Sequence, residues 1–485
     1  MIDATDAGAG EPRWLALPQP TTAMLTGGEW RPAAVLVVAE APEFAREAVR
    51  LERELRALGI ARGEGATVCL RKGGPDGEAF SLAVFDDIEV VAGAPVGVFR
   101  ATRQLLHNLR AQGNVPYGRV ASEPSAGERG FHLDAARKHF PAEWIIGLLH
   151  SLADVGINSF QWHFSENEGF RLESESFPEI VSADHVTRDQ ARRIVEVAAD
   201  LHLEVVPSLD MPGHLRHVLT AHPEFRLPSG APDTAHALDI TRDEAERFAR
   251  ALIDDMAPVF SRSTRWNLGG DEFVDFTRIE DYRTLSDAAL ERYGKEGTGF
   301  DLLTDFINRT ATHLRSRGFA ARVWNDGMLR SRVIELDRDV VLAWWTNWDV
   351  QIRPLAEAVN AGYGLMNFND SLFYYVLGEK ADYSYPTSER VWEADWHPGL
   401  FPSLPSGARQ EIAAPYPALL RGVFFSVWSD DPGAQSPSEV LDGIRRPLRA
   451  MAERAWNAGS RLTHTEFCDI DARIGVLRNG RTIHA

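Results

Sequence analysis

Two adjacent carboxylates, Asp271 and Glu272, follow two glycines in the stretch Trp266-Asn267-Leu268-Gly269-Gly270-Asp271-Glu272-Phe273. Glycine lets a backbone turn sharply and approach a ligand closely, so the apolar run reads as a strand whose end presents both acids. Neighbouring acids whose proton affinities are pushed apart supply one proton donor and one anion, the pair that cleavage of a glycosidic bond needs. A turn into a helix N-terminus, where acids complement the macrodipole, is the other reading of these residues. Further polar residues stand at comparable places. Arg137, in His132 to Pro141, offers a planar fork of donors suited to adjacent sugar hydroxyls or a carboxylate, and it could equally close an ion pair with Asp134 or a later acid. Trp162 to Arg171 packs Glu166, Asn167 and Glu168 into one loop. In Val205 to His214, prolines and a glycine shape a tight turn that would hold His214 beside Asp210.

The elements that must position these residues alternate between strand and helix from Arg129 onward, which predicts a parallel sheet with crossover helices. Strand ends are expected near Asp134, His163, Asp210, Gly270, Asn325, Trp345, Phe368 and Trp428. Eight such strands predict an α/β fold, a closed (β/α)8 TIM barrel whose chemistry sits at the C-terminal strand ends. Pro141 and the stripe Trp144, Ile145, Leu148, Leu149, Leu152, Val155 mark the first helix. Further helices are expected over residues 187–201, 243–260, 300–317 and 437–456. Before the barrel, Val35 to Val38, Phe80 to Val84 and Glu89 to Ala92 read as strands, and Glu43 to Leu58 and Val98 to Arg110 as helices. The expected organisation is a small non-catalytic α+β domain at 13–125, a barrel at 129–460 and a C-terminal tail at 461–485, with residues 121–128 as the linker.

Composition excludes several classes. A net charge of -19 argues against nucleic acid and anionic membranes as partners. With 44% hydrophobic residues the chain can bury a substantial core. Cys69 and Cys468 form neither a metal motif nor a disulfide framework. Residues 1–20 lack the features of a signal peptide, and no apolar run is long enough for a membrane span, so a cytoplasmic protein is expected.

Taken in order, Leu133 to Pro141, His163 to Arg171, Asp210 to Pro223 with its Met-Pro-Gly-His, Gly269 to Glu272, Trp324 to Gly327 and Gly422 to Trp428 resemble the family-20 glycoside hydrolases, the β-N-acetylhexosaminidases. The resemblance covers nearly the whole chain, the Gly97 to Leu109 stretch looking like the family's pre-barrel module. It implies a retaining, exo-acting hydrolase of terminal β-linked N-acetylglucosamine or N-acetylgalactosamine, acting on an oligosaccharide or glycoconjugate without cofactor or metal. It implies that Glu272 is the general acid/base and that Asp271 orients the substrate's 2-acetamido group, whose carbonyl oxygen attacks the anomeric carbon to give an oxazolinium intermediate. Arg137 then matches the arginine that binds distal hydroxyls, Trp324 and Trp345 the aromatics around the acetamido methyl, and Trp428 the one beneath the ring. Trp344 is an alternative to Trp345, and core packing is the other reading for each tryptophan. Glu166 and His214 match the pair behind the general acid.

Departures from the family pattern fall on the rim. Glu166-Asn167 stands where many members have two aspartates, Tyr374-Tyr375-Val376 replaces a Tyr-x-Asp motif, and Asp430 stands where a glutamate is common. Asp370 is a candidate replacement for the missing aspartate. Residues 369–417 read as one long loop walling the pocket. Two other classes fit parts of the pattern: a metal-dependent barrel hydrolase using His163, Asp210 and His214, and a non-catalytic sugar-binding barrel.

Overall fold

The computed structural model describes residues 12–228, 233–478 and 481–483. Residues 1–11, which carry part of the signal-peptide reading, and 484–485, at the end of the expected tail, lie outside the described residues. The chain divides into two compact units, one formed by the described parts of Met1–Ser125 and Ala452–Ala485 with Asp154–Gly156, the other by Ala126–Ala153 and Ile157–Met451.

Seven strands form the sheet of the first unit among the described residues, in the order Thr22–Trp30, Val115–Ser122, Phe80–Val84, Ile88–Ala92, Ala66–Lys72, Ala34–Ala39, Ala61–Arg62. Alternate residues of Phe80–Val84 and Ile88–Ala92 are buried, the period that leaves one strand face to the core. Helices Ala45–Ala57 and Pro95–Gln112 bury Leu51, Leu55, Val98 and Leu105 in the same core. Gly97 is required by close packing, since a Cβ there would lie 2.6 Å from the Ala79 carbonyl oxygen. Ser122 still belongs to a strand and Glu128 begins the next, so the connection is shorter than the 121–128 linker expected from its Pro and Gly. Within the stretch expected as a tail, His464–Ile474 is a helix opened by a Thr463–Glu466 capping box, and it packs against Pro95–Gln112.

The second unit is a closed barrel of parallel strands: β1 Glu128–Asp134, β2 Ser159–Glu166, β3 Glu204–Leu209, β4 Arg265–Asn267, β5 Ala320–Trp324, β6 Val341–Trp344, β7 Leu365–Asn367 and β8 Leu420–Trp428. Each pairs with the next, and β8 returns to β1 with Phe424 opposite Gly130 and Val427 opposite Leu133. Gly130 has no room for a side chain, because a Cβ would lie 2.2 Å from the Phe424 ring. The strand-end expectations fall within three residues of the observed ends, crossover helices occur at Ala142–Asp154, Arg188–Asp200, Asp243–Met256 and Gly299–Ser316, and helix Pro437–Trp456 follows β8. The segment after β7 is not one irregular loop. It holds helices Asp370–Phe373 and Ser388–Glu393, and Tyr374–Val376 pairs in parallel with the end of β8. Aromatic residues there pack locally, as Phe373 does edge-on to Trp396 at 4.6 Å, which an order-free composition reading does not reveal.

Candidate functional site

The exit of β4 is stitched to both neighbours. Met211 N–H donates to the Leu268 carbonyl and Trp324 N–H to the Gly269 carbonyl, each at 2.8 Å. Gly269 and Gly270 adopt φ of 79° and 87°, and a Cβ on Gly269 would lie 2.7 Å from the Asp210 carboxyl carbon. Glycine is therefore demanded by handedness and by space. Glu272 itself holds φ of 41°, a strained conformation for a residue with a side chain, and its N–H donates to Asp326 Oδ2 at 3.2 Å. Of the two readings of this stretch, the strand end presenting acids is the observed one.

Around the pair runs a chain of charges. Arg137 closes ion pairs with Asp134 at 2.9 Å, Glu166 at 3.2 Å and Glu168 at 3.3 Å. His214, from the turn after β3, hydrogen-bonds Glu166 through Nδ1. Its Nε2 stands 3.4 Å from Asp271 and 3.6 Å from Glu272. Burial pushes Glu166 up, but His214 and Arg137 outweigh it and hold the carboxyl at about 2. Burial pushes His214 down, and Glu166 and Asp271 more than offset that, raising it well above the usual imidazole range. His214 is thus a cation beside the two acids.

Glu272 moves the other way. Burial, joined by the Asp271 and Glu166 charges and opposed by His214, pushes its carboxyl up. Its side chain is nevertheless 54% exposed, because protein surrounds it on most sides while its tip faces the open mouth of the cleft. Asp326, following β5, is pushed up to about 7 by burial and by Asp271 and Glu272. Asp271 is buried, and its Oδ1 has no hydrogen-bond partner among the described residues.

Aromatic rings adjoin these charges through Asp326 and Arg137. Trp345 stacks on Tyr374 at 5.9 Å and donates its indole N–H to Asp326 at 3.1 Å. Trp428 lies 5.8 Å from Tyr374 and 6.0 Å from Trp324, and Arg137 stands over it at 5.8 Å. Trp344 is instead bonded to Asn347 at 2.7 Å, so Trp345 is the one that joins this cluster. Trp324 both packs in the core and borders the cluster, edge-on to Phe368 at 4.7 Å. Val376, buried, joins Trp324 and Tyr374 in one apolar group. Tyr375 turns to Gln435 at 3.1 Å and stacks on Tyr385. Asp430 is exposed at the strand end. Asp370 accepts from the Tyr383 hydroxyl at 3.2 Å, and burial pushes it up to about 6.

All ten residues singled out for the site therefore come from the C-terminal ends of the barrel strands or the loops after them. Asp326 and Tyr383 were not assigned roles from sequence. Asp326 had a signal, its place two residues beyond a strand-end tryptophan, whereas Tyr383 reaches the cluster only through the fold of its segment. His163 Nδ1 is 3.0 Å from Ser208 Oγ and 3.9 Å from Asp210. Among the described residues no group of three His, Cys, Asp or Glu side chains could hold a metal ion.

A model described as glycosyl hydrolase family 20, catalytic domain, matches residues 128–459. The chain is 29% identical over 408 residues to a lacto-N-biosidase of Bifidobacterium bifidum, covering 83% of this chain and 35% of that protein. It is 25% identical over 293 residues to a beta-hexosaminidase of Vibrio furnissii, covering 53% and 46%. The chain thus spans less than half the length of these curated relatives. The fold is similar to that of the GH20 beta-N-acetylhexosaminidase of Streptomyces coelicolor, with a TM-score of 0.75 at 20% identity over 96% of this chain and 94% of that one.

Proposed function

The chain belongs to glycosyl hydrolase family 20, and from that premise we propose that it is a retaining, exo-acting β-N-acetylhexosaminidase that removes terminal N-acetylglucosamine or N-acetylgalactosamine with the help of the substrate's own acetamido group. The observation that carries this reading is the buried, unpartnered Oδ1 of Asp271, next in sequence to a Glu272 whose proton affinity is raised. A buried acceptor without a donor is costly, and an acetamido N–H supplies the donor. Apolar rings suit the acetamido methyl and the C–H face of a pyranose.

In the first step Glu272 gives its proton to the glycosidic oxygen as the C–O bond breaks, while the acetamido carbonyl oxygen attacks the anomeric carbon. Asp271 accepts the N–H and balances the positive charge of the oxazolinium ring. Holding nucleophile and carbon in one molecule removes the entropic cost of bringing them together. In the second step water attacks the anomeric carbon and gives its proton to Glu272 as the bond from that carbon to the acetamido oxygen breaks, restoring the amide, the acid and the net configuration.

Turnover of an aryl N-acetyl-β-glucosaminide, with negligible turnover of the matching β-glucoside and no covalent enzyme–sugar adduct by mass spectrometry, is the expected result. Comparable rates on the two glycosides, or an adduct, would defeat the substrate-assisted mechanism. No turnover of either, nor of an aryl lacto-N-bioside, would favour a non-catalytic sugar-binding role. A second reading, release of lacto-N-biose as in the name of the Bifidobacterium bifidum relative, is favoured by Val376. With an apolar residue where the family pattern carries an aspartate, a terminal sugar's hydroxyls lose a charged partner, which suits a further sugar attached there. An aryl lacto-N-bioside hydrolysed far better than the aryl N-acetylglucosaminide would select it.

A further inference from the structure

The exit of β5 is joined to the strand ends on both sides of it through one buried carboxyl. Asp326 is 2% exposed, and its two oxygens accept from different neighbours: Oδ2 takes the Glu272 backbone N–H, after β4, at 3.2 Å, and Oδ1 takes the Trp345 indole N–H, after β6, at 3.1 Å. Asp326 is itself firmly placed. Asn325 beside it donates to the Thr346 carbonyl at 2.8 Å and accepts the Trp345 backbone N–H at 2.9 Å. On its other side Gly327 lies so close to the Gly-Gly turn that a Cβ would come 2.9 Å from the Gly270 carbonyl oxygen.

Only a carboxyl of this size serves both donors. Ionised or protonated, it keeps two accepting oxygens, whereas the amide of an asparagine has one and would turn its NH2 toward the other N–H. The acid carries a cost, since burial and the charges of Asp271 and Glu272 push it up to about 7, and an amide or apolar side chain there would not. What it holds in return is a strained peptide: Glu272 sits at φ of 41°, and such a conformation persists only where its surroundings over-determine it. The direction of the Glu272 carboxyl follows from that backbone.

We propose that Asp326 is a positioning residue for the hydrolysis, a bracket that fixes the Glu272 backbone to the Trp345 ring so that the proton donor is aimed only while both of its hydrogen bonds are made. The inference rests on Glu272 being the acid of the reaction proposed above. It follows that disturbing Trp345 reaches the acid through Asp326, although the two belong to strands that are not neighbours in the barrel.

The test measures kcat and KM of the full chain and of Glu272→Gln, Asp326→Asn and Trp345→Phe on two N-acetyl-β-glucosaminides, an alkyl glycoside with a poor leaving group and an activated aryl glycoside. Misplacing a reacting group costs about 100-fold, so Asp326→Asn should lower kcat on the alkyl glycoside by about that factor, with KM changed far less. The loss on the aryl glycoside should be about tenfold smaller, because that leaving group departs without protonation. Trp345→Phe keeps a ring and loses the indole N–H; its loss should also be larger on the alkyl glycoside, by about tenfold. In a Glu272→Gln background Asp326→Asn should add little on the alkyl glycoside, as for residues that act as a unit. Equal losses on the two glycosides for either single variant, in a protein whose Glu272→Gln does separate them, would overturn the bracket and leave the acid standing. If circular dichroism shows Asp326→Asn unfolded, Trp345→Phe decides the matter alone. Equal losses for Glu272→Gln itself would remove the acid role and this inference together.

Discussion

At the N-terminal end of the barrel strands, Glu128 is bonded by Arg322 at 2.6 Å and also by Arg265, which reaches Glu204 at 3.0 Å. At the C-terminal end, Glu166, Asp210, Asp271, Glu272 and Asp326 gather around Arg137 and His214. Burial acts on both groups, but the outcomes differ. Glu128 and Glu204 end below the usual carboxylate range, because their arginines outweigh burial. Glu272 is pushed up, Asp326 up to about 7, and Asp210 well up, through burial and then the charge of their acidic neighbours. Matched charges make one end a fastening, and a surplus of acids at the other end raises the proton affinity of Glu272, Asp326 and Asp210.

The most severe break at the acidic end is Glu272→Gln. With Glu272 as the proposed proton donor, its loss should lower kcat/KM about 10²- to 10⁴-fold on substrates with poor leaving groups and much less on activated aryl glycosides, which leave without protonation. Equal losses in steady-state kinetics on both would refute the acid role. At the balanced end, Glu128→Ala leaves Arg322 buried without its acid and should cost about 3–5 kcal/mol. Chemical denaturation should register that loss while the pH profile of the folded enzyme keeps its shape; a shifted profile would mean that the two ends are not separate.

Glu166→Gln sharpens the contrast, since Glu166 is the foremost influence holding His214 charged. Activity should fall about 100-fold, the usual consequence of misplacing a reacting group, and the His214 resonance followed by NMR should titrate at lower pH than in the wild type. The same pair has a stability signature. His214, raised above its unfolded value of 6.5, contributes fully below that pH and loses its contribution as pH rises through the elevated value. Glu166, depressed to about 2, contributes above its unfolded 4.5 and loses it as pH falls towards 2. Asp326 has the opposite sign for an acid: with its value moved from 3.8 to about 7, the folded state binds more protons, and stability drops as pH rises through that window. Asp326→Asn should flatten this slope by on the order of 2 kcal/mol between pH 4 and 7, and an unchanged slope in pH-dependent unfolding would count against a held proton there.

The smallest effect belongs to the rim. A site that does not hydrogen-bond a particular hydroxyl rejects its epimer weakly, so N-acetylglucosaminides and N-acetylgalactosaminides should differ in kcat/KM by less than about 100-fold. Val376→Asp, introducing the carboxylate of the family pattern, should change that ratio by about tenfold. A wild-type preference well above 100-fold would mean that Asp370, Asp430 or Tyr383 makes the discriminating contacts.

Order along the chain was enough to read the barrel, its eight strand ends and its first helix, because strand and helix periods and the Gly-Gly turn are local properties of residue type. The same local logic picked out Asp271, Glu272, Arg137 and His214, whose positions at strand ends are a consequence of the repeat. It was not enough to decide between partners. Whether Arg137 meets a carboxylate, whether Trp344 or Trp345 joins the aromatic cluster, and which acids keep a proton depend on distances between residues far apart in sequence, and charge interactions depend on those distances and on burial. Tyr383 became visible only there, through a segment whose folding rests on its own tertiary contacts, and Asp326, though its place beyond a strand-end tryptophan was a signal, gained its partner there, an N–H from Glu272.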